Sequence, residues 1–252
     1  MKRISPAYLG LFLFLSACAS APVAQERNLS SENPVWKESG KIEVTNIDGS
    51  LIVVRADPLV TPLSLINSPA GSADNVATIA ANEYFDVVIN AAMFGKDYVT
   101  SIGYMRNYEN VNNPRFSAKL RGFLMFNPKS PKSPAVKIGT KEDIGAYHTT
   151  FQTYRMWDAE KGILWNKGAS IYHHVGLVGV DDKNRILFFY HPRLVDVHDL
   201  VERILNLKLN LTGLLYLDGG NHAALFLSPE LGQEHATWLV LPNLLGIKGA
   251  RP

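Results

Sequence analysis

Residues 214–227 read LLYLDGGNHAALFL. Leu214 to Leu217 is a short apolar run of strand character and Ala223 to Leu227 is a second, with Asp218, Gly219, Gly220, Asn221 and His222 between them. The two glycines permit positive φ and let backbone amides approach a ligand closely, while Asp218 stands beside them at the C-terminal end of a strand. Many α/β and α+β proteins keep their chemistry at such strand ends. The same residues are good turn formers, so two readings stand: a ligand-handling loop, or a tight hairpin in which Asp-Gly-Gly-Asn supplies only the turn.

Working outward, residues 198–207 carry Leu200, Val201, Ile204, Leu205 and Leu207 at near-helical spacing, with Asp199 near the start where it suits the helix dipole. This helix feeds the strand before Asp218. Upstream, 171–180 (IYHHVGLVGV) and 185–190 (RILFFY) flank Asp181 to Asn184 as a hairpin. A second hairpin is read at 41–44 and 51–55. Asp74 is expected to cap a helix over 75–84 with Val76, Ile79 and Ala80 on one face, leading into a buried strand at 85–89 that Asn90 ends. Further short strands are expected at 103–105, 122–126 and 136–138, with 106–119 as a polar surface excursion and 148–156 (HTTFQTYRM) as either a sugar-recognising stretch or loop packing. Residues 237–241 and 244–247 bracket Pro242 as a final pair. The pattern implies an α+β fold: a single domain with a mixed, mostly antiparallel β-sheet core and a few flanking helices.

The amino terminus carries an address. Met1, Lys2 and Arg3 are a basic start, and residues 8–15 (YLGLFLFL) are an apolar core far shorter than the roughly 20 residues that span a bilayer. Leu15 to Cys18 (LSAC) follows, resembling the lipobox of bacterial lipoproteins, in which Cys18 becomes the lipidated first residue. Residues 1–17 are therefore expected to be a lipoprotein signal peptide, 18–33 the lipidated cysteine and a flexible tether, and 34–252 the folded domain. Ala19 after the cysteine favours the outer membrane, so the expected place is a cell-envelope lipoprotein facing the periplasm and held to the membrane by its lipid. Cys18 is the one cysteine, which excludes an intrachain disulfide and leaves no thiol for catalysis in the domain. Once Lys2 and Arg3 are removed, the 25 basic residues less these two balance the 23 acidic ones. No basic block is present, and nucleic acid is not an expected partner.

His173, His174, His191 and His222 invite a metal reading, but neighbouring residues of an extended strand face opposite sides, so His173 and His174 do not share a site if that stretch is extended. No HExxH or CxxC signature occurs, and no GxSxG marks a serine hydrolase. No metal ligands are assigned and no cofactor is expected; a divalent cation such as calcium, held by oxygens that include Asp218, stays open.

Six segments in chain order carry a resemblance: INAAMF at 89–94, SIGYM at 101–105, GFLMF at 122–126, FQTYRM at 151–156, VGLVGVDDKNRILFF at 175–189 and LYLDGGNHAALF at 215–226. Together they resemble the phosphodiester glycosidase family, over about residues 75–228. The resemblance implies a hydrolase of mixed α/β build that cleaves a sugar from a phosphodiester at the anomeric carbon, with a carbohydrate or sugar phosphodiester as substrate. From residue type and motif position, the candidate catalytic residues are Asp218, Asn90 and His222, and the candidate substrate contacts are Gly219, Gly220, Asn221, His173, Gln152, Arg155 and Gly103. Oxocarbenium-like charge would be stabilised by Asp218, or Asp218 would activate water, while the amides of Gly219 and Gly220 hold phosphate oxygens. Three departures from the family pattern stand out. Asn221 and His222 replace a serine after Asp-Gly-Gly, His173 and His174 stand where an arginine precedes the glycine-rich strand, and Tyr154 and Arg155 replace a small residue and proline. Two functions follow: a lipid-anchored periplasmic hydrolase acting on envelope or exopolysaccharide material, or a noncatalytic glycan-binding or envelope-assembly lipoprotein that keeps the fold.

Overall fold

The computed structural model describes residues 34–67, 74–232, 235 and 237–249. The expected signal segment, Cys18 and the tether lie outside these residues.

The strand-forming runs seen in the sequence assemble into three main sheets, and every ladder among the described residues is antiparallel. The largest has eight strands, in spatial order Lys37–Ser39, Ile42–Ile47, Leu51–Ala56, Ile186–His191, Val175–Asp181, Leu211–Gly219, Arg155–Asp158 and Gly162–Ile163. A four-stranded sheet runs Leu225–Leu227, Val87–Asn90, Asn243–Ile247 and Leu63–Asn67. The five-stranded sheet runs Asn110–Asn113, Met105–Asn107, Tyr147–Thr153, Gly122–Pro128 and Val136–Gly139. The α+β class with antiparallel pairing expected from the sequence is what forms.

Layering follows from which strands are apolar on both faces. Val175–Asp181 and Ile186–His191 are buried at every position, so the central hairpin must be covered twice. On one face, Val178, Phe188 and Leu215 pack against Ile89 and Leu225 of the four-stranded sheet and Phe126 and Phe151 of the five-stranded one. On the other face, Leu177 and Phe189 meet Leu200, Val201 and Ile204 of the helix Val197–Asn206. The second helix, Val76–Asn82, lays Val76, Ile79 and Ala80 on the outer side of the four-stranded sheet, against Val88, Phe226 and Leu244. Both predicted apolar helix faces are therefore the buried ones. The first cap shifts by one residue, Asn75 rather than Asp74 accepting from Thr78 N at 2.8 Å; at the other helix Asp196 accepts from His198 N at 2.8 Å and Asp199 lies in the first turn as expected.

Several expected boundaries are corrected. The excursion 106–119 contains a strand, Asn110–Asn113, folded back on Met105–Asn107. Residues 148–156 are mostly buried strand rather than loop, because Phe151 and Met156 fill two different core layers. Residues 237–241 form no strand; Asn243–Ile247 pairs instead with Leu63–Asn67 and Val87–Asn90.

The largest correction concerns the Asp-Gly-Gly-Asn segment. It is not a hairpin turn. Leu211–Gly219 belongs to the eight-stranded sheet, while Leu225–Leu227 belongs to the four-stranded sheet beside Val87–Asn90. A short 3₁₀ turn, Gly220–His222, carries the chain from one layer to the other. Both flanking runs are buried, and each finds its ladder partner in a different layer.

Candidate functional site

The layer crossing sets the polar residues of 214–227 against the end of Val87–Asn90. Asn90 is 3% exposed and fixed to the crossing by its backbone and its side chain. Its N donates to Ala224 O at 3.3 Å and its Oδ1 accepts from Ala224 N at 3.2 Å. The Nδ2 of this carboxamide is buried and has no hydrogen-bond partner among the described residues. A buried amide donor left unpaired is costly, and a functional role or a bound water or ion is among the explanations such a group calls for.

Gly176 makes room for that side chain. A Cβ at residue 176 would lie 2.8 Å from Asn90 Oδ1 and 3.3 Å from Nδ2. Gly176 is also the ladder partner of Asp218 on one side and of Tyr190 on the other. Asn90 thus sits on the glycine between Asp218 and Tyr190 in one row across the sheet. The register slips by one residue between Gly176 and Leu177, and this bulge interrupts the alternation before Asp218.

Asp218 is partly buried, and its Oδ1 accepts from Gly219 N at 2.8 Å. Burial pushes its carboxyl up to about 6, against the opposing pull of the Gly219 N–H and the His222 imidazole. A carboxyl poised there can take a proton near neutral pH, as a general base must.

The Gly219 and Gly220 amides do not serve as expected. Gly219 N is bound to Asp218, and Gly220 N donates to His174 O at 2.9 Å. The two glycines are required for different reasons. Gly220 has φ +66, and a Cβ there would meet nothing within 4 Å, so only backbone conformation demands glycine. At Gly219 a Cβ would stand 2.5 Å from Tyr216 Oη, so the demand is space.

Of the other predicted residues, His222 is exposed and sets its ring edge-on to Phe94, 4.9 Å between centroids. Asn221 and His173 are exposed beside it and on the neighbouring strand approach. Gln152 is spent within the protein: its Oε1 accepts from Tyr104 N and Ser117 N, and its Nε2 donates to Ser117 O and Leu120 O. Gly103 packs against this knot, where a Cβ would be 2.9 Å from Gln152 O. Arg155 pairs with Asp158 Oδ2 at 2.6 Å and donates to Gly139 O at 3.1 Å, so its charge is directed to Asp158. Asp218, Asn90, Gly219, Gly220, Asn221 and His222 gather at the crossing, whereas Gln152, Gly103 and Arg155 build the frame.

Tyr190 and His235 join the neighbourhood without a role expected from the sequence, together with His174, for which the sequence offers only the metal reading and the replacement of an arginine. Tyr190 is fully buried, and its hydroxyl lies 2.8 Å from His174 Nδ1. Its ring is tilted against His235 at 5.5 Å, and His235 is held by hydrogen bonds to Leu225 in both directions. Burial lowers the proton affinity of the His174 and His235 imidazoles, and the charge of a neighbouring histidine, His173 for the first and His174 for the second, lowers each further. The alternation argument that separated His173 from His174 fails because His174 has φ +58; the chain is not extended there and the rings lie 6.5 Å apart. That φ is invisible to strand periodicity.

Among the described residues, His198, Asp199 and Glu202 bring possible ligand atoms within 4.8 Å of one another, but Asp199 is paired with Lys167 Nζ at 3.0 Å. The group does not include Asp218. A cleft of about 520 Å³ opens near the end of Val76–Asn82, lined by Tyr84, Phe85, Phe226 and Glu230 among others, and contains none of the predicted site residues.

No protein-family model matches this sequence, and no curated protein does. Similarity appears at the level of solved structures. A hypothetical protein from Synechocystis superposes with a TM-score of 0.62 at 14% identity over 83% of this chain, which spans 62% of that protein's length. The zebrafish N-acetylglucosamine-1-phosphodiester alpha-N-acetylglucosaminidase catalytic domain, auto-inhibited by pro-peptide, gives a TM-score of 0.58 at 14% identity, covering 85% of this chain and 86% of that one. The chain therefore shares the fold of these two proteins.

Proposed function

We propose that this chain is a hydrolase that releases a sugar from a glycosyl phosphodiester, with Asp218 and Asn90 at its centre. The observation that carries the reading is the buried, unpartnered Asn90 Nδ2 seated on Gly176 next to Asp218. In the proposed reaction the bond from the anomeric carbon to the phosphate oxygen breaks, and the phosphate leaves with the electron pair. Oxocarbenium-like charge develops on the sugar, water attacks the anomeric carbon, and Asp218 takes the water proton before passing it to solvent. A phosphate is a good leaving group without strong protonation, so one carboxyl with its proton affinity near neutrality suffices. Asn90 Nδ2 would donate to an oxygen of the substrate, and His222 would stand at the open side of the crossing.

The lipid anchor belongs to the same reading: Cys18 acylated, the domain tethered at the outer membrane facing the periplasm, and the substrate drawn from envelope or exopolysaccharide material. A noncatalytic glycan-binding role is the second reading. It is favoured by the engagement of the Gly219 and Gly220 amides and of Arg155 within the protein, which leaves fewer charged or backbone donors for a transition state. Release of free sugar from a panel of sugar 1-phosphodiesters decides between them, using protein lacking residues 1–18 and its Asp218→Asn variant. Turnover abolished in the variant supports the hydrolase; binding without turnover in both supports the second reading.

A further inference from the structure

Tyr190 and His174 form a pair whose proton placement follows from their surroundings. The phenol is fully buried, so its O–H must find an acceptor, and His174 Nδ1 at 2.8 Å is the partner it has among the described residues. The phenol therefore donates and Nδ1 accepts. A neutral imidazole that accepts at Nδ1 carries its own hydrogen on Nε2. Protonating Nδ1 would remove the acceptor from a buried hydroxyl, which opposes the charged form in the same direction as burial and the neighbouring His173 do. The titratable groups facing this ring are His173, Tyr190 and His235, and Asp218 shares the Gly176 row with Tyr190 on the adjoining strand.

The backbone of His174 stands at the crossing. His174 O holds Gly220 N, the next residue Val175 is the ladder partner of Gly219, and Tyr190 shares the Gly176 row with Asp218 under the Asn90 carboxamide. We propose that His174 is a neutral hydrogen-bond donor of this site, offering Nε2–H to an anionic oxygen of the ligand, and that Tyr190 is the positioning residue that holds its tautomer. The proposal rests on the reading of the crossing as a phosphodiester site. It assigns the donor function to His174 rather than to the exposed His173, and it makes the site a pair of neutral donors, Asn90 Nδ2 and His174 Nε2, in place of a guanidinium.

Nitrogen-15 spectroscopy of the imidazoles at pH 7.5 tests the tautomer without any substrate. The expected spectrum shows His174 with an unprotonated Nδ1 and a protonated Nε2, converting to a tautomer mixture in Tyr190→Phe. An Nδ1–H tautomer in the unsubstituted protein overturns the proposal. Dimethyl phosphate, a sugar-independent monoanionic diester, is then titrated to tens of millimolar. Movement of the His174 Nε2 resonance, abolished in Asn90→Ala by at least a several-fold weaker response, is expected; an unmoved resonance overturns the donor role. If sugar phosphodiesters are turned over, His174→Ala should lower kcat/KM by about 10- to 100-fold, and His174→Gln, which restores a donor near the Nε2 position, should recover part of it. Equal losses in both overturn the assignment. A shifted Nε2 resonance with no turnover of any sugar phosphodiester would sink the hydrolase reading and leave the His174 donor standing.

Discussion

Gly176 is the seat of the Asn90 carboxamide: a Cβ at residue 176 would come within 2.8 Å of Asn90 Oδ1. Two residues 86 positions apart in the chain are thus fitted to each other, and Asp218 is the ladder partner of the same glycine.

Gly176→Ala should displace Asn90 while leaving the sheet paired. We expect a stability loss of about 1–3 kcal/mol, the usual cost of overpacking. Ligand response or turnover should fall by more than 10-fold, the order expected when a positioned donor is lost. Urea unfolding beside the dimethyl phosphate titration checks it. A variant that loses stability but keeps full ligand response would show that Asn90 acts only in packing.

Asp218→Asn should make the domain more stable at neutral pH. The folded carboxyl at about 6 lies above the ordinary 3.8, so between these values the native state holds a proton that the unfolded chain has released. The stability associated with that proton is complete below about 3.8 and is lost as pH rises through about 6. Replacing the carboxyl should therefore raise stability at pH 7.5 by on the order of 1–3 kcal/mol and flatten the slope over that window. Denaturation midpoints from pH 4 to 8 measure both. An unchanged slope would mean that Asp218 is as hydrated in the folded chain as in the unfolded one.

The same group predicts a pH profile for turnover. A base must be ionised, so kcat/KM should climb as pH rises through about 6 and then level. The opposite limb, with activity falling above that value, would assign Asp218 the role of an acid.

Gln152→Leu should destabilise the protein rather than disarm it. Removing the amide strands Tyr104 N, Ser117 N and Leu120 O in a partly buried knot, at a cost of about 2–4 kcal/mol, while Ser117 O keeps its bond from Leu120 N. Below the lowered Tm, KM should match that of the unsubstituted protein. A raised KM at full folding would return Gln152 to the substrate.

Cys18→Ser in the full chain should move the protein from the membrane fraction to the soluble periplasm. Fractionation with acyl-chain labelling reads the result. Membrane retention without label would overturn the lipoprotein proposal.

Local chemistry made much of this molecule readable. The apolar runs of 171–180 and 185–190 predicted the central hairpin, whose first strand begins only at Val175, and helical spacing identified Val76, Ile79 and Ala80, and Leu200, Val201 and Ile204, as buried faces. Each of those signals is carried by residues a few positions apart, because side-chain direction repeats every two residues in a strand and every 3.6 in a helix. Asp218 at a strand end beside two glycines was visible for the same reason.

Which residues meet Asp218 was a different matter. The sequence by itself determined that 214–217 and 223–227 are buried strands, and it left open whether they pair with each other. Tertiary structure decided that they do not, since each buried run is completed by a different layer, Val175–Asp181 for one and Val87–Asn90 for the other. That choice brings Asn90 to the crossing, turns the Gly219 and Gly220 amides inward and puts the Tyr190 phenol on His174. Periodicity states which face of a strand is apolar; it does not state what covers that face, because the partner is selected by burial and hydrogen-bond completion summed over residues far apart in the chain.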